Sequence, residues 1–442
     1  YQIIYLIKSN NMYKKNFREF FIQASSLLII LLPFTLISGP FLSDLSITLC
    51  SIFFIISYLN DNKLKKYFKN KFIIIFFIFC IYLIFNSLLI SGQIFFSLKN
   101  SLFYFRFGIF SLCVWYILDN NEKIIKHIFI SFLIAFSILI IDGYIQYFFG
   151  YNILGWKLYP GPRISSFFGD ELIYGSYLSR FLPIVFGLMI INLEKKYIEN
   201  KFQYFIFLIF ILVDVAVFLS GERTAFFLVN FGALLFILAS KNYKVTRLTI
   251  FLISLILIII LSLINTQSKQ RIFDKTFQEM NLFQKNTKNE NTEFDKELKP
   301  KTYFFSKTHH DHYLSASKMF FGHPIFGIGH KNFRFKCSEK KYLISPNSCT
   351  THPHNYYIQF LSELGIVGFI FLIYAFAKFS IFFSKNVITN FFKEKKKYYT
   401  LDDFQVCLFV AILLSLWPLT PSANFFNNWI SIVMYFPVGF LL

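Results

Sequence analysis

Long apolar runs, repeated from one end of the chain to the other, decide what it can fold into. They lie at roughly 20–38, 41–59, 72–90, 101–118, 127–147, 173–192, 203–219, 224–240, 248–265, 356–378, 404–420 and 428–442. A run of about eighteen residues or more is what an α-helix needs to cross the hydrocarbon of a bilayer. In that solvent a backbone must satisfy its own hydrogen bonds, so helices are the element these runs can form. The expected fold is an all-α polytopic membrane protein with about twelve transmembrane helices. Composition agrees, with 55% hydrophobic and 21% aromatic residues, 64 of them phenylalanine.

The net charge of +20 invites a nucleic-acid partner, but its distribution argues against one. The basic residues gather between the runs: Lys63, Lys65, Lys66, Lys69 and Lys71; Lys123 and Lys126; Lys195, Lys196 and Lys201; Lys241, Lys244 and Arg247; Lys385, Lys393, Lys395, Lys396 and Lys397. These clusters fall on every second loop, the positive-inside pattern, with both chain ends in the cytoplasm. No folded basic face remains for nucleic acid. Tyr1–Arg18 carries Lys8, Lys14, Lys15 and Arg18 without a following small-residue cleavage site, and reads as a cytoplasmic lead-in.

Three parts follow: a bundle of about nine spans over 1–265, a long outer loop over 266–355, and three spans over 356–442. The loop has candidate helices at Ile272–Leu282 and Tyr313–Phe321, a run Lys285–Lys301 polar enough to be mobile, and the turn-rich GHPIFGIGHKNF over Gly322–Phe333. Cys337 and Cys349 sit near its end in polar sequence and suggest a disulfide, with two free thiols as the alternative. Cys50, Cys80, Cys113 and Cys407 lie inside apolar runs and read as packing groups.

The seam between this loop and the next span reads THPHNYYIQFLSELGIVG, from Thr351 to Gly368. It holds His352 and His354, and a neutral imidazole there can take a proton from an incoming hydroxyl near neutral pH. The plainer alternative is that both histidines only cap a helix. Asn355 follows, then Gly365 and Gly368, which allow close approach of a neighbouring element or a lipid chain. On the same outer face lie Arg163, in the loop before the sixth run, and Arg223, in SGERTA. An arginine at the membrane edge either snorkels or meets an anion, and its forked donors suit a diphosphate. Lys99 and Arg106 could join them, or Arg106 could pair with Asp142 or Asp214. His309, His310, Asp311 and His312 offer a metal site on paper but read better as a solvated patch in a mobile loop. His323 and His330 flank the turn as structural residues, and His127 starts a cytoplasmic helix.

The combination resembles the O-antigen ligase and polymerase family of bacterial envelope glycosyltransferases. His354-Asn355, Gly365 and Gly368 match its histidine motif, and GHPIFGIG, SGERTA and RISSFFGDE resemble further landmarks. The resemblance implies a GT-C-like membrane glycosyltransferase of the bacterial inner membrane, its active site facing the periplasm across one long periplasmic loop. It also implies a polyprenyl-diphosphate-linked glycan as donor, His354 as base or orienting group, and Arg163 and Arg223 on the diphosphate. Asn355, Arg106, Lys99 and His352 would assist in binding. Transfer would invert the anomeric centre with no metal or other cofactor. The acceptor would be a sugar of lipid A core in a ligase, a second lipid-linked glycan in a polymerase, or a protein hydroxyl in a relative. A transporter of the lipid-linked glycan is the non-enzyme alternative, but the chain has no internal repeat and its polar groups gather at one face.

Overall fold

Each of the twelve apolar runs holds a helix in the computed structural model, which describes residues 2–60, 64–264, 266–282, 302–392 and 400–442, and the side chains of these except 2–17 and 60. Helices of eight residues or more are numbered in chain order. They are α1 Gln2–Ile37, α2 Pro40–Asn60, α3 Lys71–Leu89, α4 Ile94–Ser101, α5 Arg106–Asn120, α6 Ile124–Phe149, α7 Tyr174–Glu194, α8 Phe202–Leu219, α9 Arg223–Ala239, α10 Lys244–Ile264, α11 Lys307–Gly322, α12 Tyr356–Phe392, α13 Asp403–Ser415 and α14 Asn428–Leu441. Among the described residues nine segments are long and apolar enough to cross a membrane, with α4 and α5 counted together. The apolar helices α9, α13 and α14 are shorter, at 17, 13 and 14 residues. The described residues contain no β-strand; the loop 150–173 has two isolated bridges, Tyr151 to Lys157 and Tyr159 to Arg163. The protein is an all-α polytopic membrane protein.

The lysine-bearing loops meet at one end of the bundle. Lys195 pairs with Glu122, Lys66 lies 2.9 Å from Asp119, and the backbone N–H groups of Lys241 and Asn242 donate to Asp403 at 2.8 and 2.9 Å. Loops of the other set meet at the opposite end: the Ser422 N–H donates to the His354 carbonyl at 2.8 Å, and Arg271 Nε to the Gly221 carbonyl at 3.0 Å. The alternation of charge along the chain is thus a separation of two faces in space. Lys63, Lys393, Lys395, Lys396, Lys397 and the run Lys285–Lys301 fall outside the described residues, and the side chains of Lys8, Lys14 and Lys15 outside the described side chains.

Aromatic packing holds the middle together. Phe79 stacks on Phe360, and Phe360 on Phe426, joining α3, α12 and the link before α14. Lipid tails are as apolar as phenylalanine, so close contact and shape, rather than escape from water, favour these pairs. The four span cysteines are buried and unpaired, as their surroundings implied.

Three ionic assignments need correction. Arg106 pairs with Asp44, at 2.5 Å, and not with Asp142 or Asp214. Asp142 instead accepts from the Ile153 N–H at 2.9 Å and the Ser166 hydroxyl, anchoring the loop after α6. Asp214 pairs with Arg247 at 2.9 Å, so Arg247 is a buried partner between α8 and α10 and not a loop charge. Sequence reasoning favoured partners by class; only the helix packing decides which pair faces each other.

The described parts of the long loop, 266–282 and 302–355, pack on the bundle. The first of them is a helical stretch over 266–279. Next come α11 and the turn 322–329, and a disulfide joins Cys337 to Cys349 with Cα atoms 5.0 Å apart. The turn enters a break in α12 at Gly365, whose φ and ψ are 64° and −167°. There the N–H of Ile366 donates to the Pro324 carbonyl at 2.9 Å, and the N–H groups of Ile328 and Gly329 donate to Ser362 and Glu363 at 3.0 Å. The backbone groups freed by the break are thereby satisfied.

Candidate active site

His354 is held at the seam through its backbone. Its backbone is left-handed, φ 57°, and its carbonyl accepts from Ser422. Asn355 caps α12: its Oδ1 accepts from the N–H groups of Tyr357 and Ile358 at 3.0 and 3.2 Å, while its Nδ2 donates to the Pro418 carbonyl at 2.8 Å. Both ends of that amide are engaged within the protein. The cap fixes where α12 begins, and so where the imidazole stands.

Three further imidazoles surround it. The His352 ring is 4.2 Å from that of His354, His312 5.3 Å and His309 5.5 Å, centroid to centroid. His309 and His312 are carried on α11, which Ser306 caps by accepting from the His309 N–H at 3.2 Å. They form no solvated patch: the expected short helix is longer, takes in the HHDH stretch, and turns it against His354. His312 Nε2 lies 2.9 Å from the Asn347 carbonyl, an acceptor only, so Nε2 carries the proton and Nδ1 is the free lone pair. Burial lowers all four rings: His309 and His354 to about 4 and His352 to about 3, with repulsion from neighbouring histidines adding to it, and His312 in the same direction against the opposing pull of the Asn347 carbonyl and Asp311. All are neutral at pH 7. Among the described residues no group of histidine, cysteine and carboxylate side chains is arranged to hold a metal ion.

The arginines form a second cluster on the same face. Arg223 pairs with Glu279 at 2.8 Å, tying the start of α9 to the stretch 266–279. Arg271, from that stretch, reaches the carbonyl of Gly221, where φ is +66° and a Cβ would lie 2.7 Å from the arginine Cδ. Arg163 has a buried Nε without a partner among the described residues. Burial lowers the pKa of Arg163 and Arg271; repulsion from Arg223 lowers both further, and Arg163 also acts on Arg271. Glu222 sits among them, accepting from the N–H groups of Gly175 and Ser176 and the Ser176 hydroxyl. Burial pushes its carboxyl up to about 7, against the pull of these donors and of Arg163. The two clusters touch electrostatically: the Arg223 charge also lowers His309.

Of the residues singled out from sequence, His352, His354, Arg163 and Arg223 thus share one face. Arg106 is occupied by Asp44, and Lys99 stands exposed on α4. Gly365 and Gly368 are where backbone and ring come close. A Cβ at Gly365 would lie inside contact distance of the Ile325 and Gly327 backbone, and one at Gly368 would lie 3.2 Å from Tyr82 Cε1. Sequence reasoning missed Arg271, though the rule that selected Arg223 applies to it: an arginine just past a span on the outer face. It also missed His309 and His312 as neighbours of His354, which no local pattern signals.

Residues 206–373 match the family model described as O-Antigen ligase. The match runs from α8 into α12 and so includes Arg223, Arg271, His309, His312, His354, Gly365 and Gly368, while Arg163 precedes it. No curated protein matches the chain.

Proposed function

We propose, for a chain that carries this O-antigen ligase family domain, that it transfers an O-antigen-type glycan from a polyprenyl-diphosphate carrier to an acceptor hydroxyl, foremost a sugar of lipid A core, on the periplasmic face of the inner membrane. The observation that carries the reading is a neutral imidazole, His354, on one face with three arginines that stand among the two carboxylates Glu222 and Glu279. The acceptor oxygen bonds to the anomeric carbon as the bond from that carbon to the phosphate oxygen breaks, which inverts the centre. Negative charge grows on the departing diphosphate, and the half-buried Arg163, Arg223 and Arg271 stabilise it from positions fixed by their neighbours. The acceptor proton goes to His354. At about 4 the free imidazole is a weak base, and an arriving diphosphate raises its affinity for a proton, so basicity appears only once donor is bound. No metal or other cofactor enters these steps.

The experiment offers two acceptors, lipid A core and a second lipid-linked glycan, to purified protein in lipid with polyprenyl-diphosphate glycan as donor. Product on lipid A core, lost in His354→Ala, is the expected result. Growth on the lipid-linked glycan would replace the ligase by a polymerase, and transfer that survives His354→Ala would remove the histidine from the chemistry.

A further inference from the structure

A fourth arginine points to a recessed part of this site. Arg180 lies within α7, is 7% exposed, and has neither Nε nor Nη1 hydrogen-bonded to any described residue. A charge inside a membrane span is costly unless an opposite charge or strong acceptors meet it. The other arginine buried to that degree, Arg247, has Asp214 against it. Arg180 has no such carboxylate among the described residues.

Its position is not arbitrary. Arg180 follows Ser176 by four residues, so both project from one face of α7, with Arg180 about 6 Å deeper along the axis. Ser176 on that face meets Glu222, the carboxylate that neighbours Arg163. Arg180 therefore lies beneath the arginine cluster, towards the membrane interior. Its charge reaches the hydroxyl of Tyr356, two residues after His354; that hydroxyl is also buried without a partner. Asn424, next to the Phe425 ring that packs 5.3 Å from Tyr356, likewise has a buried Nδ2 with no acceptor among the described residues. Each of these orphan groups can donate, and what satisfies them together is an acceptor-rich anion.

We propose that Arg180, with Tyr356, forms a second oxyanion subsite that takes a single phosphate group below the arginine cluster. The proposal rests on the transferase reading above. The phosphate has two possible sources: the lipid-side phosphate of the carrier, whose chain runs into the membrane, or a phosphate on the acceptor sugar.

The test uses the full chain in nanodiscs with a short polyprenyl diphosphate and the matching monophosphate as probes. Arg180→Met removes an uncompensated buried charge, so the ligand-free melting temperature should hold or rise, which separates lost binding from lost folding. A tenfold or greater loss of affinity for both probes assigns the subsite to the lipid-side phosphate. Unchanged probe affinity with a tenfold rise in KM for a phosphorylated acceptor, and none for its dephosphorylated form, assigns it to the acceptor. Arg180→Lys should recover part of either effect, and Tyr356→Phe should show a smaller loss, about threefold. Unchanged affinities and unchanged KM values in Arg180→Met would overturn the subsite while leaving the transferase reading intact. Failure of the unmodified protein to bind polyprenyl diphosphate would overturn both.

Discussion

His309 neighbours His354, its ring 5.5 Å from the His354 ring, and it also feels the charge of Arg223. It is the residue through which the anion-binding cluster and the proton acceptor sense each other. A diphosphate that neutralises Arg223 therefore also relieves His309, and through it His354.

That relationship has a kinetic consequence. Protonated His309 repels a proton on His354, and is the neighbour that contributes most to that repulsion. In His309→Gln the repulsion is gone, so His354 gains its proton at a higher pH. The acid limb of the kcat/KM profile should move to higher pH, while the rate at pH 8 falls by less than about tenfold. An acid limb that stays where it is would dissociate His309 from His354.

The same cluster makes stability depend on acid. All four rings have folded pKa values below the ordinary 6.5, down to about 4 for His309 and His354 and about 3 for His352. Between roughly 6.5 and 4 the unfolded chain binds protons that the native cluster refuses. Stability is thus complete above 6.5 and declines as pH falls through that window. Melting temperatures of the detergent-solubilised protein from pH 7.5 to 4.5 should fall more steeply than those of His309→Gln/His312→Gln. Equal slopes would place the acid sensitivity elsewhere.

How much of this was legible in the chain follows from the range of the interactions involved. Helix positions were, because a span is written in some eighteen consecutive residues, and the lysine alternation carries its orientation. His354 and Arg223 were, because each sits beside its own boundary. What escaped depends on partners far away in sequence. His309 meets His354 across the long loop, Arg106 finds Asp44 where Asp142 or Asp214 was expected, and Arg180 is conspicuous only once no carboxylate among the described residues is found to pair with it. Composition announces that buried charges need partners, but helix packing chooses them.

The Arg247–Asp214 pair illustrates the energetic side of that choice. Both side chains are almost fully enclosed, 5% and 4% exposed, and Asp214 also accepts from the Ser254 hydroxyl at 3.1 Å. Removing one partner strands the other, so Arg247→Met should destabilise by about 3–5 kcal/mol, whereas Arg247→Met with Asp214→Leu should recover most of the loss. Chemical unfolding of the two variants in mild detergent measures the difference. A double variant as unstable as the single one would mean that the pair contributes more than the cost of a stranded charge.

Gly365 should be the least replaceable residue of the histidine motif apart from His354. Its φ of 64° with ψ of −167° is a backbone region that essentially glycine alone adopts, and a Cβ would collide with the backbone at Ile325 and Gly327. Neither neighbour can swing aside easily: the Ile325 carbonyl accepts from the Val367 N–H at 3.3 Å, and Gly327 is flanked by Ile328, whose N–H donates to Ser362. Gly365→Ala should therefore cost about 3 kcal/mol or more, and should release the turn 322–329 from the helix. Proteolysis at that turn, absent in the parent protein and rapid in the variant, reports the release. A variant that keeps the parent's resistance and melting temperature would show that the break in α12 can form without glycine.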